Sequence, residues 1–252
     1  MIAAILKFEL LKLFKTGKIW KLLAICQFFL GFIFYLLLHE YQLNSTQYLL
    51  TSGSPLGITE KVIHPLLAWT TLFFFLITTL LVTQSLTQER KSQSLDLYLT
   101  SAITPTQLIL GKFFGIFLAE LFLLLPVFIM PWVISITNVL DVGHFLTALA
   151  GLVCLQAATI SLALWIASFS EEPLLSALMI FTTLFLLSLL EWMVRFLKID
   201  HQWIQELALL YHCKNFLSGF IDSRDIIYYL FISVIFLLLS IFRLKQEPSL
   251  CR

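Results

Sequence analysis

Charge is what this sequence lacks. Asp, Glu, Lys and Arg make up 12% of its 252 residues, roughly half the share of an average soluble domain. With 60% of residues hydrophobic, a chain of this length cannot cover itself in water-facing side chains, so a soluble globule is excluded. Lys plus Arg number 16 and Asp plus Glu 15; the near-zero balance leaves no basic footprint for nucleic acid and no acidic tail. Nine glycines and seven prolines are too few for a low-complexity or collagenous chain. The four cysteines are Cys26, Cys154, Cys213 and Cys251, two inside apolar runs, and their spacing offers neither a disulfide pair nor a metal site. His39, His64, His144, His201 and His212 are scattered, with no HExxH pair. No GxSxG elbow is present for a hydrolase. A phosphate cradle is missing too: Gly111-Lys112 has Thr106 where GxxxxGK[ST] needs glycine and Phe113 where it needs a hydroxyl, and Gly17-Lys18 fails the same test. If the chain depends on ATP and Mg, another chain binds them.

What the sequence has instead is length in its apolar runs. The hydrocarbon core of a bilayer is about 30 Å thick and a helix rises about 1.5 Å per residue, so about 20 apolar residues are needed to cross. Six runs meet that count, at 19–38, 65–84, 108–137, 144–169, 174–192 and 226–242. None alternates as an outer-membrane strand does, and lipid offers a lone backbone amide no partner, so the runs predict helices. The fold class expected is all-α and polytopic, one membrane domain over 1–252 with six transmembrane helices.

Basic residues set the expected orientation. With the N-terminus in the cytoplasm, eleven lie on the inner side: Lys7, Lys12, Lys15, Lys18, Lys21, Arg90, Lys91, Lys112, Arg243, Lys245 and Arg252. Five lie outside: Lys61, Arg195, Lys198, Lys214 and Arg224. The positive-inside rule therefore predicts both termini in the cytoplasm of a bacterial inner membrane. The first run is too long for a secretory signal and no small-x-small cleavage site follows it, so it reads as a retained anchor. Ahead of it, Ile2, Ile5, Leu6, Leu10, Leu13 and Phe14 repeat at helical spacing, with Lys7, Lys12, Lys15 and Lys18 on the other side. That pattern predicts an amphipathic helix over 1–18 lying in the cytoplasmic interface.

Inside the third run stands one carboxylate, Glu120. A charge there costs at least about 2.5 kcal/mol on insertion scales. Two readings stay open: an intramembrane functional group, or a hydrogen bond to a neighbouring helix. Pro126 and Pro131 in the same run predict a kink or break near the outer boundary.

Two segments exceed what membrane crossing requires. The cytoplasmic connection 85–107 is longer than a tight hairpin needs. Leu95, Tyr98 and Leu99 form an i, i+3, i+4 patch on a helix, whereas Leu95, Leu97 and Leu99 would share a face of a strand; a short helix is favoured, with Thr104 as N-cap and Pro105 as first residue of the next helix. Apolar residues flanked by charge suggest a docking surface for a soluble partner.

The stretch from Glu89 to Lys112, Glu-Arg-Lys-Ser-Gln-Ser-Leu-Asp-Leu-Tyr-Leu-Thr-Ser-Ala-Ile-Thr-Pro-Thr-Gln-Leu-Ile-Leu-Gly-Lys, resembles the cytoplasmic loop of permease subunits of type-2 ATP-binding-cassette exporters. The family pattern is an acidic residue, a basic pair, Gly-Thr-Leu-Glu, a leucine run, Thr-Ser-Pro and a distal Gly-Lys. Glu89, Leu95, Asp96, Leu99, Thr100, Ser101, Gly111 and Lys112 fit it, while Gln93 stands in place of glycine and Ala102 in place of proline. The resemblance implies a coupling helix within 95–104 that enters a groove of a separate ATPase, with Glu89, Arg90, Leu95, Asp96, Tyr98, Leu99, Thr100 and Ser101 at that junction.

The outer connection 193–225 continues the likeness. His212, Phe216, Gly219, Ile221, Asp222, Arg224, Asp225 and Tyr228 resemble the outer-loop signature of the gliding-motility and nitrous-oxide-accessory branch of those permeases, with Cys213 in place of an aromatic residue. From the residues alone, Gly219 breaks an amphipathic run and 222–225 reads as a turn and cap before the last span. Residues 203–210 are apolar enough to dip back into the outer leaflet. Anchoring and substrate contact both remain open for this segment. The resemblance implies a permease subunit that pairs with a second permease chain, alike or related, and with ATPase subunits; an enzyme acting on lipid and a non-transporting assembly factor are the alternatives.

Overall fold

The computed structural model describes residues 2–51, 58–92, 104–135, 142–197, 209–217, 219–220 and 222–246. Among these residues the chain is all-α, with eight helices. Helix α1 is Ile2–Lys15, α2 is Lys18–Thr51, and α3 runs unbroken over 59–91, an α-helical body His64–Val82 between wider π-helical turns at Thr59–Ile63 and Thr83–Thr87 and a last turn Gln88–Lys91. Then come α4 (Pro105–Ser135), α5 (Val142–Ala167), α6 (Pro173–Leu197), α7 (Leu209–Leu217) and α8 (Ser223–Lys245).

Five of these are long and apolar enough to cross a membrane: Lys18–Asn44, Lys61–Lys91, Pro105–Trp132, Val142–Ala167 and Ser223–Lys245. This corrects the expected six. The fifth expected run, 174–192, falls in α6, whose apolar stretch among the described residues is the shorter Pro173–Leu189.

α5 lies at the centre, touching α3, α4, α6, α7 and α8. Its sequence explains the position. It carries no charged residue, and Ala148, Gly151, Ala158, Ser161 and Ala163 are small and buried, so neighbouring helices approach closely without leaving polar groups in lipid. The threonines of α3 are made compatible with an apolar setting in another way. Thr70, Thr71, Thr78 and Thr79 donate to the carbonyls of Leu66, Leu67, Phe74 and Phe75, one turn back, at 2.7–3.0 Å. Outward faces carry Phe28, Phe32, Leu76, Leu118, Leu230 and Phe231, all exposed, as a lipid-facing shell requires.

Two local expectations fare differently. Thr104 caps α4: its hydroxyl accepts from Gln107 N and Gln107 Oε1 accepts from Thr104 N, both at 3.4 Å, the reciprocal arrangement of a capping box. Of the kink or break expected at Pro126 and Pro131, the break is absent: α4 is one helix from Pro105 to Ser135. Packed neighbours in a helical bundle let a span tolerate proline. The connection expected from 85 also begins later. Gln88, Glu89, Arg90 and Lys91 are strong helix formers with no glycine or proline among them, and they prolong α3 by a turn.

Candidate functional site

The largest concentration of charge in the described residues lies where the connection between α3 and α4 leaves α3 and enters α4. α1 places Ile5, Glu9 and Leu13 on one face, and all three are buried. Gly115 on α4 permits this approach, because a β-carbon there would stand 3.0 Å from Glu9 Cβ. Lys112, three residues before that glycine, is 1% exposed. Its Nζ donates to Glu9 Oε1 at 2.5 Å, to Glu89 Oε2 at 2.6 Å and to the Ser85 carbonyl at 2.6 Å. Lys12 pairs with the other oxygen of Glu89, and Ser85 Oγ donates to Glu9 at 3.3 Å. Two lysines and two glutamates thus form a neutral cluster. It ties α1 to both stems of the α3–α4 connection, the incoming one through Ser85 and Glu89 and the outgoing one through Lys112.

Burial of this kind is tolerable only when every charge has a partner. The ammonium of Lys112 has three protons and finds two carboxylates and a carbonyl within 2.6 Å, which matches its donor capacity. Arg90 is also turned toward its own chain, Nη1 donating to the Ser168 carbonyl at 3.0 Å. Glu89 and Arg90, expected at a docking junction, therefore brace the connection from behind. Leu95, Asp96, Tyr98, Leu99, Thr100 and Ser101 lie outside the described residues. Glu9 was missed by sequence reasoning, and so was the inward turn of Lys12, expected toward head groups. The signal was there: Glu9 is the single acid of α1, placed on its apolar face between Ile5 and Leu13.

Glu120 is fully buried on α4. The hydroxyl of Thr78 on α3 lies 2.7 Å from its Oε1, while Oε2 has no hydrogen-bond partner among the described residues. Of the two readings left open for this residue, the structure supplies the contact required by the second, a helix-to-helix hydrogen bond.

Away from this cluster, α7 is fastened to α5 and α8. His212 Nδ1 is 2.6 Å from Asp225 Oδ1, and Asn215 Nδ2 donates to Asp225 Oδ2 at 2.9 Å. Tyr228 stacks on the His212 ring with centroids 3.9 Å apart, and Tyr229 Oη donates to the Leu209 carbonyl at 2.7 Å. Phe216 fills the space left by Gly151 on α5, and the Thr147 hydroxyl lies 3.1 Å from its carbonyl. Beyond the helix end Gly219 adopts φ +82°, the left-handed conformation that favours glycine, against the ring of His144. Asp222 caps α8, accepting from Arg224 N at 3.0 Å. The structure thus joins His212 to Asp225 directly and sets Phe216 and Gly219 against α5, whereas Arg224 is exposed. Ile221 and most of the apolar stretch 203–210 lie outside the described residues.

These contacts hold α7 against α5 and α8. Asp225 is 2% exposed and accepts from two side chains, buried His212 and exposed Asn215, so Asp225→Ala removes a buried acceptor, a loss that costs about 1–3 kcal/mol. Thermal unfolding in detergent should show the loss for Asp225→Ala and none for Arg224→Ala. Among the described residues no group of three or more His, Cys, Asp or Glu is placed to hold a metal ion.

No family model matches this sequence, and no curated protein matches it.

Proposed function

We propose that this chain is the membrane-spanning permease subunit of an exporter of the ATP-binding-cassette type, driven by separate ATPase subunits that bind ATP and Mg. The observation that carries the reading is the Lys112 cluster. Its ammonium grips Glu89 before the cytoplasmic connection and Glu9 on α1, and Lys112 itself stands after the connection. A force applied to 93–103 is therefore delivered to α1, α3 and α4 together. Nucleotide-driven closure of a partner can tilt spans only if the point of contact is rigidly joined to them, and buried, fully paired charges supply that rigidity. The resemblance of 89–112 to the permease loop names the kind of partner, and the Leu95, Tyr98, Leu99 pattern supplies an apolar insert for its groove.

In this reading the chain lies in a bacterial inner membrane with both termini in the cytoplasm, and α6 completes a sixth crossing. The experiment is isolation of the tagged chain from its native membrane. An ATPase subunit should copurify, and replacing Leu95, Tyr98 and Leu99 by Asp should abolish its recovery while the permease remains monodisperse. Undiminished recovery from the triple variant, or no ATPase with the wild type, overturns the proposal.

A further inference from the structure

The apolar core shared by α3, α4 and α5 contains three polar side chains at one level. Ile109, Phe113, Ile116, Leu123 and Val127 of α4 are buried in it, and Glu120 completes their three- and four-residue spacing. On α5, Phe145, Leu149, Leu152, Ile160 and Ala163 belong to the same core, and Gln156, 1% exposed, completes that series. The opposite side of α5 meets α7 through Thr147 and Gly151, so Gln156 is turned to α3 and α4. Depth agrees. Arg90 of α3 reaches the Ser168 carbonyl just beyond α5, and twelve residues back along each helix stand Thr78 and Gln156. Thr78 is the residue whose hydroxyl lies 2.7 Å from Glu120 Oε1. Two further atoms of this layer, Glu120 Oε2 and Gln156 Nε2, are buried with no hydrogen-bond partner among the described residues.

Proton counting decides what the layer is. A threonine hydroxyl has one proton to give. That of Thr78 goes to the Phe74 carbonyl at 2.8 Å, so the short contact with Glu120 Oε1 takes its proton from the carboxyl. The helices packed on α4 bring no cation to this level. α3 has no titratable residue between His64 and Glu89, and α8 has none between Tyr229 and Arg243. Past His144, α5 offers only the thiol of Cys154, on its α7 side, and between Lys21 and Tyr35 α2 offers only the thiol of Cys26. On α1, Glu9 and Lys12 are engaged in the cluster at Lys112, about two turns along α4, while Lys7 and Lys15 are exposed.

We infer that Glu120 is an intramembrane proton-binding site whose occupancy is tied to the packing of α3, α4 and α5. In the packed state its carboxyl is the neutral acid and donates to Thr78 Oγ. When these helices part and water enters, the O–H bond of the carboxyl breaks and the proton passes to water as hydronium. The carboxylate left behind accepts from the Thr78 hydroxyl, which turns from the Phe74 carbonyl, and from Gln156 Nε2. Without water the same carboxylate would be an unpaired buried charge, so proton release and helix separation go together. The inference stands on this packing and does not rest on the ATPase reading.

The test is infrared spectroscopy of the chain in phosphatidylcholine vesicles at neutral pH, joined to stability in detergent. Wild type should show the carbonyl stretch of a protonated carboxylic acid, absent from Glu120→Gln and displaced, not abolished, by Thr78→Val. Glutamine copies the neutral acid, with an N–H for Thr78 Oγ and a carbonyl beside it, so Glu120→Gln should match wild type in a temperature ramp at neutral pH. In alkaline buffer wild type should survive the ramp less well than Glu120→Gln, because raising the pH favours the state that has released the proton and only the glutamate has one to release. Spectra without the band difference, loss of stability in Glu120→Gln at neutral pH, or coincident pH profiles for the two proteins each overturns the inference.

Discussion

Lys112→Met is expected to destabilise the chain severely, by roughly 3–5 kcal/mol, the cost of removing one partner from a buried ion pair. The reason is specific to the wiring of the cluster. Glu89 keeps Lys12 when Lys112 is lost. Glu9 keeps only the hydroxyl of Ser85, and it remains 3% exposed. The damage therefore comes from one uncompensated carboxylate and not from a missing attraction in general. It follows that Lys112→Met combined with Glu9→Gln should be far milder than Lys112→Met alone, because the second change removes the stranded charge. Glu89→Gln should be intermediate, since Lys112 retains Glu9. The measurement is the fraction of monodisperse protein surviving a temperature ramp in detergent for the two single lysine and glutamate variants and the double variant. A double variant as unstable as Lys112→Met would show that packing of the lysine stem, not charge, sets the cost.

The same cluster shows how far sequence carried the fold and where it stopped. The long apolar runs were legible because the bilayer imposes a length that can be counted, and five of them form helices of that length. The remaining run, 174–192, lies in α6, where the apolar described stretch Pro173–Leu189 is shorter than the other five. The Thr104 cap and the break at Gly219 were legible because each depends on a few consecutive residues. Pairings between distant elements were not. Glu9 and Lys112 are 103 residues apart, and nothing local to either says which carboxylate faces which ammonium. The position of Glu9 on an apolar helix face was a signal that some cation must meet it, yet helix spacing alone does not choose among the lysines. The same holds for His212, whose partner Asp225 lies across a turn on the next helix.

Gly151→Ala should loosen the packing of α7 against α5, though by less than Lys112→Met loosens the cluster around α1. A β-carbon at 151 would sit 2.5 Å from Phe216 Cβ, and that atom is fixed to the backbone of α7, so no rotamer change relieves the clash. α7 must move away from α5, and overpacking of this kind costs typically about 1–3 kcal/mol. Phe216→Ala should fail to rescue it, because alanine keeps the β-carbon. Gly31→Ala is the control: its nearest neighbour is the flexible tip of Met130 at 3.7 Å, ordinary contact distance, and stability should be unchanged. Displacement of α7 has a chemical readout as well. Cys213 is 6% exposed in the wild type, so its reaction with a maleimide should be slow there and accelerate in Gly151→Ala. If Phe216→Ala restores slow labelling, the obstruction is the aromatic ring and the backbone of α7 has room to spare; if labelling stays fast, the close approach of α7 to α5 is what Gly151 provides, and the His212–Asp225 contact depends on it.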